Sequence, residues 1–262
     1  MERSAFKTEI NVPGTVARLA DDDQARACNA RTAIEFACYN VKNPARQAEK
    51  ASLARALAAE LAATVQTEEP KDKKKAKDQG ATRPKHPAGV RDLLLQYLAL
   101  VGTQEQVPVI AGLLGDLELR ESARRALQQI PGAASANALV EAFPKAAGSE
   151  FRIGLINALA CRGGGNSLAV FRQVAGDADP GVRMAAIDAL ARWGGASDDR
   201  LMVDAIKAGA CCASVCAARV RLAANLAQQG DTVAAHGIYT AVAAMKSCKG
   251  PARAARLALT TK

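Results

Sequence analysis

Apolar and polar positions along residues 90–247 follow one recurring cadence. In the segment Asp179-Pro-Gly-Val-Arg-Met-Ala-Ala-Ile-Asp-Ala-Leu-Ala-Arg-Trp-Gly-Gly195, Arg183 stands seven residues before Leu190, and Gly194 follows that leucine by four. The same seven-residue step joins Arg91 to Leu98, Arg120 to Leu127, Arg152 to Leu159 and Arg219 to Leu226. A glycine follows each leucine by four residues at Gly102, Gly163 and Gly230, and by five at Gly132, where Pro131 is inserted. Successive leucines lie 29, 32, 31 and 36 residues apart, which is the signature of an internal repeat. Counted from each arginine, positions +3 and +7 are Leu94/Leu98, Ala123/Leu127, Leu155/Leu159, Ala186/Leu190 and Leu222/Leu226. Residues three, four and seven apart share one helix face, so this spacing predicts a buried helical stripe in each unit.

Smaller features agree. Position +6 is alanine in three units (Ala126, Ala158, Ala189), which lets a neighbouring helix approach closely. The glycine after the stripe is expected to end the helix in the left-handed conformation. Asp179 before Pro180 reads as an N-cap with proline in the first turn. Each glycine is followed by a second, shorter apolar stretch: Val107–Leu114, Ala138–Phe143, Leu168–Val174, Leu201–Ile206 and Val233–Met245. Ser197 and Asp231 are placed to cap the last two. Two helices per unit, neither able to cover its apolar side alone, predict an all-α solenoid of stacked pairs, about five of them, with no strands in 90–247.

The run from Asp179 to Gly195 resembles the HEAT-like repeats of bacterial proteins, including the short form shared with phycobilisome lyases. The likeness extends over about residues 90–247 and is strongest at 177–195. It implies an armadillo-type superhelix and a role in protein–protein interaction, with handling of a prosthetic group as a further possibility carried by the resemblance alone. It also implies a ladder in which the turn aspartate pairs with the arginine of the following helix. Arg183 has Asp177 or Asp179 for this and Arg120 has Asp116, whereas Arg152 and Arg219 have no aspartate just upstream, so the ladder is expected to break there.

Outside the array, Asp21–Asp23 can cap a helix running to about Tyr39, and Pro44 opens an Ala-rich helix to about Val65. Residues 1–66 read as an atypical N-terminal hairpin or cap. Residues 67–89, from Thr67-Glu-Glu-Pro through the lysine run to Arg83-Pro-Lys-His-Pro-Ala-Gly89, have almost no apolar side chains and read as a flexible linker. Residues 248–262 read as a basic C-terminal cap helix.

Charge changes this picture only locally. The formal net charge is +9, but residues 211–262 alone hold seven basic side chains against one acidic. Arg219, Arg221, Lys246, Lys249, Arg253 and Arg256 therefore form a candidate basic patch for nucleic acid. Aromatic residues are only 3% of the chain, which leaves few platforms for stacking bases. The repeated arginines could themselves line up for phosphates, although a charge at a constant place in a stacked core calls for an internal partner. No apolar run is long enough to span a membrane. Met1–Thr8 lacks the apolar core of a signal peptide, so the expected location is cytoplasmic.

Candidate chemistry is sparse. Gly163-Gly-Gly165 lacks the Gly-Lys-Ser/Thr ending of a nucleotide loop and reads as a turn. Cys211, Cys212 and Cys216, with Cys248 further on, do not match the paired spacing of a zinc site and read as small core residues; no metal or cofactor is expected. Trp193 is expected in the core. With two histidines, His86 and His236, and no nucleophile motif, the chain reads as non-catalytic. The leading functional expectation rests on positions +5 and +9, turned away from the buried stripe. Gln96, Arg125, Gln129, Asn157, Asp188, Arg192 and Gln228 would form a polar ribbon for a protein partner, or a merely solvated face.

Overall fold

A computed structural model of the protein describes residues 10–66 and 82–260. The lysine run and the first residues of the chain lie outside these. The chain divides into two compact units, residues 1–138 and 139–262. Among the described residues, no helix is long and apolar enough to cross a membrane.

The first unit begins with a short helix that the apolar pattern did not announce, α1 (Val12–Ala17), capped by the Asn11 side chain. Helix α2 (Gln24–Asn40) starts at Asp23, whose carboxylate accepts from the amides of Ala25 and Arg26. Helix α3 (Gln47–Ala62) follows a single turn opened by Pro44. The array then starts with α4 (Ala88–Val101), α5 (Val107–Ala111) and α6 (Arg120–Gln129). Helix α4 packs on both α3 and α6. The division between the units falls within α7 (Ala133–Ala142).

The end of the segment expected to be a free linker is held in place. Thr82–Pro84 (β2) pairs antiparallel with Thr64–Gln66 (β1). Two residues on, His86 is buried, and its Nε2 lies 2.6 Å from Oε2 of Glu60 on α3. The same oxygen accepts from Lys85 Nζ at 2.9 Å. A polar, proline-rich segment is thus tied down by one carboxylate with two partners, a pairing that composition does not reveal. Burial alone would raise the pKa of Glu60, but the hydrogen bonds from His86 and Lys85 outweigh it and hold the carboxyl below its ordinary value.

The second unit contains α8 (Ser149–Arg162), α9 (Ser167–Val174), α10 (Pro180–Trp193), α11 (Asp199–Lys207), α12 (Cys212–Gln228), α13 (Thr232–Ala243) and α14 (Lys249–Thr260). Each long first helix packs on the next of its kind, α8 on α10 and α10 on α12, while the shorter helices lie against them. Among the described residues both units are all-α apart from the β1–β2 ladder, with the two-helix repeat following the expected cadence. All ten +3 and +7 residues, from Leu94 to Leu226, are buried. Ala126, Ala158 and Ala189 are buried at +6, and Asn225 at that position in the last unit donates to the Ala191 carbonyl at 2.8 Å. It thereby satisfies a carbonyl near the end of α10 that no later turn can reach.

The glycines divide into two kinds. Gly132, Gly163 and Gly230 have positive φ, as a left-handed helix end requires. Gly102 and Gly194 are extended instead, so their smallness has another cause. A Cβ on Gly102 would lie 2.5 Å from the Leu98 carbonyl oxygen and 2.7 Å from Ile130 Cδ1, and one on Gly194 2.5 Å from the Leu190 carbonyl oxygen and 2.8 Å from Asp198 Oδ2. Asp179 caps α10 and Asp231 caps α13 as expected. No cap hydrogen bond from Ser197 is found; Asp198 instead turns back to accept from the Gly195 amide and is buried against Arg172.

The arginine ladder is offset from the one expected. Arg91 meets Asp116 at 3.6 Å and Arg152 meets Asp177 at 2.6 Å, each partner lying 25 residues further on. Arg183 donates to the backbone carbonyl of Asp177 rather than to a carboxylate. Arg219, expected to be unpaired, makes a two-point contact with Asp199 at 2.6 and 2.8 Å. These four arginines are committed to intramolecular bonds and do not form a phosphate-binding stripe.

Three outcomes are expected. Leu190→Ala should destabilise the second unit by about 2–5 kcal/mol in urea unfolding, since its site is closed on all sides. Asp199→Ala should cost about 3–5 kcal/mol by leaving the buried Arg219 charge without its partner. Because the Glu60 carboxyl is lowered on folding, its contribution is present above the ordinary glutamate range. It is lost as pH falls through the lowered value. Glu60→Gln should therefore flatten the acid limb of a stability–pH profile, read by thermal unfolding of wild type and variant.

Candidate functional site

Of the +5 and +9 residues of the second unit, all but Gln228 line a groove. Helices α8, α10 and α12 run side by side, and their equivalent positions present Asn157, Asp188 and Arg192 to solvent along one cavity of about 670 Å³. The floor is built from small side chains: Ala160 and Cys161 of α8, Ala185, Ala189 and Ala191 of α10, and Ala224 of α12. The alanines that let the helices pack closely thus also leave the hollow open above them. Asn225 closes one side, donating to the carbonyls of Ala191 and Arg192.

Charge along this groove is mixed and partly organised. Arg221, on α12, reaches the Asp188 carboxylate across the gap between α12 and α10. Both are about half exposed, so solvent screens this pair and it is a labile contact. Arg192 has no such partner in view and offers an exposed guanidinium. Trp193 stands next to it, 41% exposed, instead of lying in the core. Its indole N–H donates to the Ala160 carbonyl at 2.6 Å, which ties α10 to α8 at the groove edge.

The other residues of the expected ribbon are placed differently. Gln96, Arg125 and Gln129 are exposed on α4 and α6 of the first unit, with Gln96 donating to Asp92 one turn earlier. Gln228 is exposed at the end of α12 but does not line the groove. The candidate basic patch is smaller than its six residues suggest. Arg219 is buried and paired, Arg221 belongs to the groove, and Arg256 bonds the Ala243 carbonyl. Lys246, Lys249 and Arg253 remain as exposed cations around α14.

A larger cavity of about 740 Å³ lies among α8, α9 and the turn after α7. Two of its three polar side chains are already engaged: Arg152 sits 5.2 Å over the Phe143 ring while bonding Asp177, and Ser149 donates to Asp179. It therefore offers little for a ligand to satisfy. At the far end of α12, Cys212 and Cys248 form a disulfide, and the Cys216 sulfur lies close by. Sequence spacing treats these cysteines as unrelated small residues. The fold joins them because the turn after α13 folds back over the start of α12.

Sequence reasoning missed Arg221 in the groove and the exposure of Trp193 beside it. Arg221 was assigned to the basic patch, and only its 33-residue step from Asp188, close to the repeat length, could have exposed the pairing. Trp193 was placed in the core because Val101 and Ile130 hold that position in sister units, and both of those are buried. Asp188→Ala and Arg192→Ala are each expected to change the unfolding free energy by less than about 1 kcal/mol, since neither charge is buried. Chemical denaturation of the two variants checks this and shows whether the rim can be altered without disturbing the stack.

No family model matches the chain, and no curated protein matches it by sequence. Among solved structures it is similar to a chain of the complex of CpcE and CpcF of phycocyanin lyase from Nostoc sp. PCC7120. That similarity has 15% identity and a TM-score of 0.40, covering 95% of this chain and 94% of that one.

Proposed function

We propose that the protein is a non-catalytic helical-repeat scaffold that holds another protein in the groove of α8, α10 and α12. The observation that carries this reading is the coincidence of an alanine floor with a rim of Asn157, Asp188, Arg192 and Arg221. A shallow apolar floor accepts the side chains of a partner segment, and a rim of both signs selects that segment by charge pattern. The mixture of signs also disfavours a polyanion, whose phosphates would meet Asp188. No nucleophile–base pair lines the groove, which supports binding over chemistry.

The test uses the full chain with a photo-reactive residue at position 157, irradiated in native lysate with and without nuclease. A discrete cross-linked protein is expected, unaffected by nuclease. The double charge reversal Asp188→Lys and Arg192→Glu should reduce its yield at least about tenfold, because like charges then face each other across the rim. A charge reversal outside the groove, Arg125→Glu, should leave the yield unchanged. Equal capture by the groove variant would overturn the reading. Nuclease-sensitive capture falling steeply with salt would replace it with binding of nucleic acid.

A further inference from the structure

We propose that the sulfur cluster at the start of α12 is a binding site for monovalent copper, formed when the Cys212–Cys248 disulfide is reduced. The sulfurs of Cys212, Cys216 and Cys248 all lie within 4.8 Å of one another. Cys212 and Cys216 stand one helical turn apart on α12, with their sulfurs 3.9 Å from each other. Thiolates sharing one metal at bonds of about 2.3 Å lie about 4 Å apart, which is this separation. A fourth sulfur completes the set: Met245 Sδ is 3.3 Å from Cys216 Sγ.

The surroundings suit a soft cation. Cys216 and Cys248 are buried, while Cys212 is half-buried and provides the way in. Arg219 extends from the next turn of α12, with Nη1 3.8 Å from Met245 Sδ. Its positive charge, shared with Asp199, offsets part of the negative charge that three thiolates bring. Cys248 immediately precedes α14, and its carbonyl accepts from the Ala252 amide, so its sulfur sits by the positive end of a helix. Three thiolates and a thioether are ligands for copper(I); zinc sites are completed by cysteine, histidine or carboxylate, none of which supplies a fourth donor in this set.

The disulfide and the metal are alternative occupants of the same sulfurs. A dithiol reductant supplies two electrons and two protons to the Cys212–Cys248 bond, giving two thiols while the dithiol closes to its cyclic disulfide. Copper(I) then binds as the thiols release their protons. The cluster is built from residues 36 apart in the chain, so a bound ion would also fasten the C-terminal turn to α12.

The test titrates copper(I) anaerobically into the full chain, reduced beforehand with a water-soluble phosphine, in competition with a chromophoric copper(I) chelator. One copper per chain is expected, with a thiolate-to-copper charge-transfer band. Untreated protein, with the disulfide closed, should lose the band. Cys212→Ser and, separately, Cys216→Ser should abolish the one-to-one complex; the half-buried Cys212 provides a variant that leaves the core packing intact. Met245→Leu should weaken binding at least about tenfold, and Cys28→Ser with Cys161→Ser should change nothing. Failure to compete with the chelator would overturn the site. So would copper binding that survives Cys212→Ser and Cys216→Ser. An unchanged affinity in Met245→Leu would overturn the four-sulfur assignment.

Discussion

A two-helix unit in this protein has more apolar side than it can fold over by itself, and that shortfall dictates the rest. The leucines at +7 are sealed only when the next long helix lies against them, and the alanines at +6 allow it to come near enough. Close approach in turn forces the turns to be spare. Gly102 and Gly194 are small because the carbonyl four residues back and a neighbouring side chain together occupy the place where a methyl would stand. Arginines drawn into such tight seams cannot remain solvated, so each needs a carboxylate or carbonyl within the same stack. Hydrophobic closure comes first, and the polar bonds are the conditions under which it is tolerated.

The parts of this design that repeat within a few residues were legible. The buried stripe follows from residues three and four apart, and every +3 and +7 position is where periodicity puts it. Caps at Asp23, Asp179 and Asp231 are equally local and were equally readable. What escaped depends on distance. The sequence offers an upstream aspartate to Arg183 and Arg120 and none to Arg152 and Arg219, whereas Arg91 and Arg152 use one in a later turn. Burial of Arg219 is set by Asp199 on another helix, so no composition count could separate it from the exposed cations beside it. Likewise His86 in a polar, proline-rich stretch gives no hint of Glu60, and Cys248 gives none of Cys212.

The groove was half legible for the same reason. Asn157 and Asp188 share the +5 register position in successive units and Arg192 stands one turn beyond Asp188, so a regular stack had to bring them to one side. Arg221 and the alanine floor required knowing which helices are neighbours. The two faces of the long helices do separate work. One is filled with leucine and tolerates little change, whereas the opposite one carries exposed polar groups whose identity the packing does not dictate. A surface free of packing duties can be tuned to a partner without endangering the stack.

Several bonds between neighbouring helices span nearly one repeat length: Ser122 to Asp92, Ser149 to Asp179, Trp193 to Ala160, Arg221 to Asp188 and Asn225 to Ala191. Such bonds act as a ruler. Inserting a few residues inside a helix would carry the donors beyond it out of line with the acceptors of the neighbouring helix, while bonds that do not span the insertion would stay in place. Short insertions are therefore borne by the turns, where they leave the helix register intact.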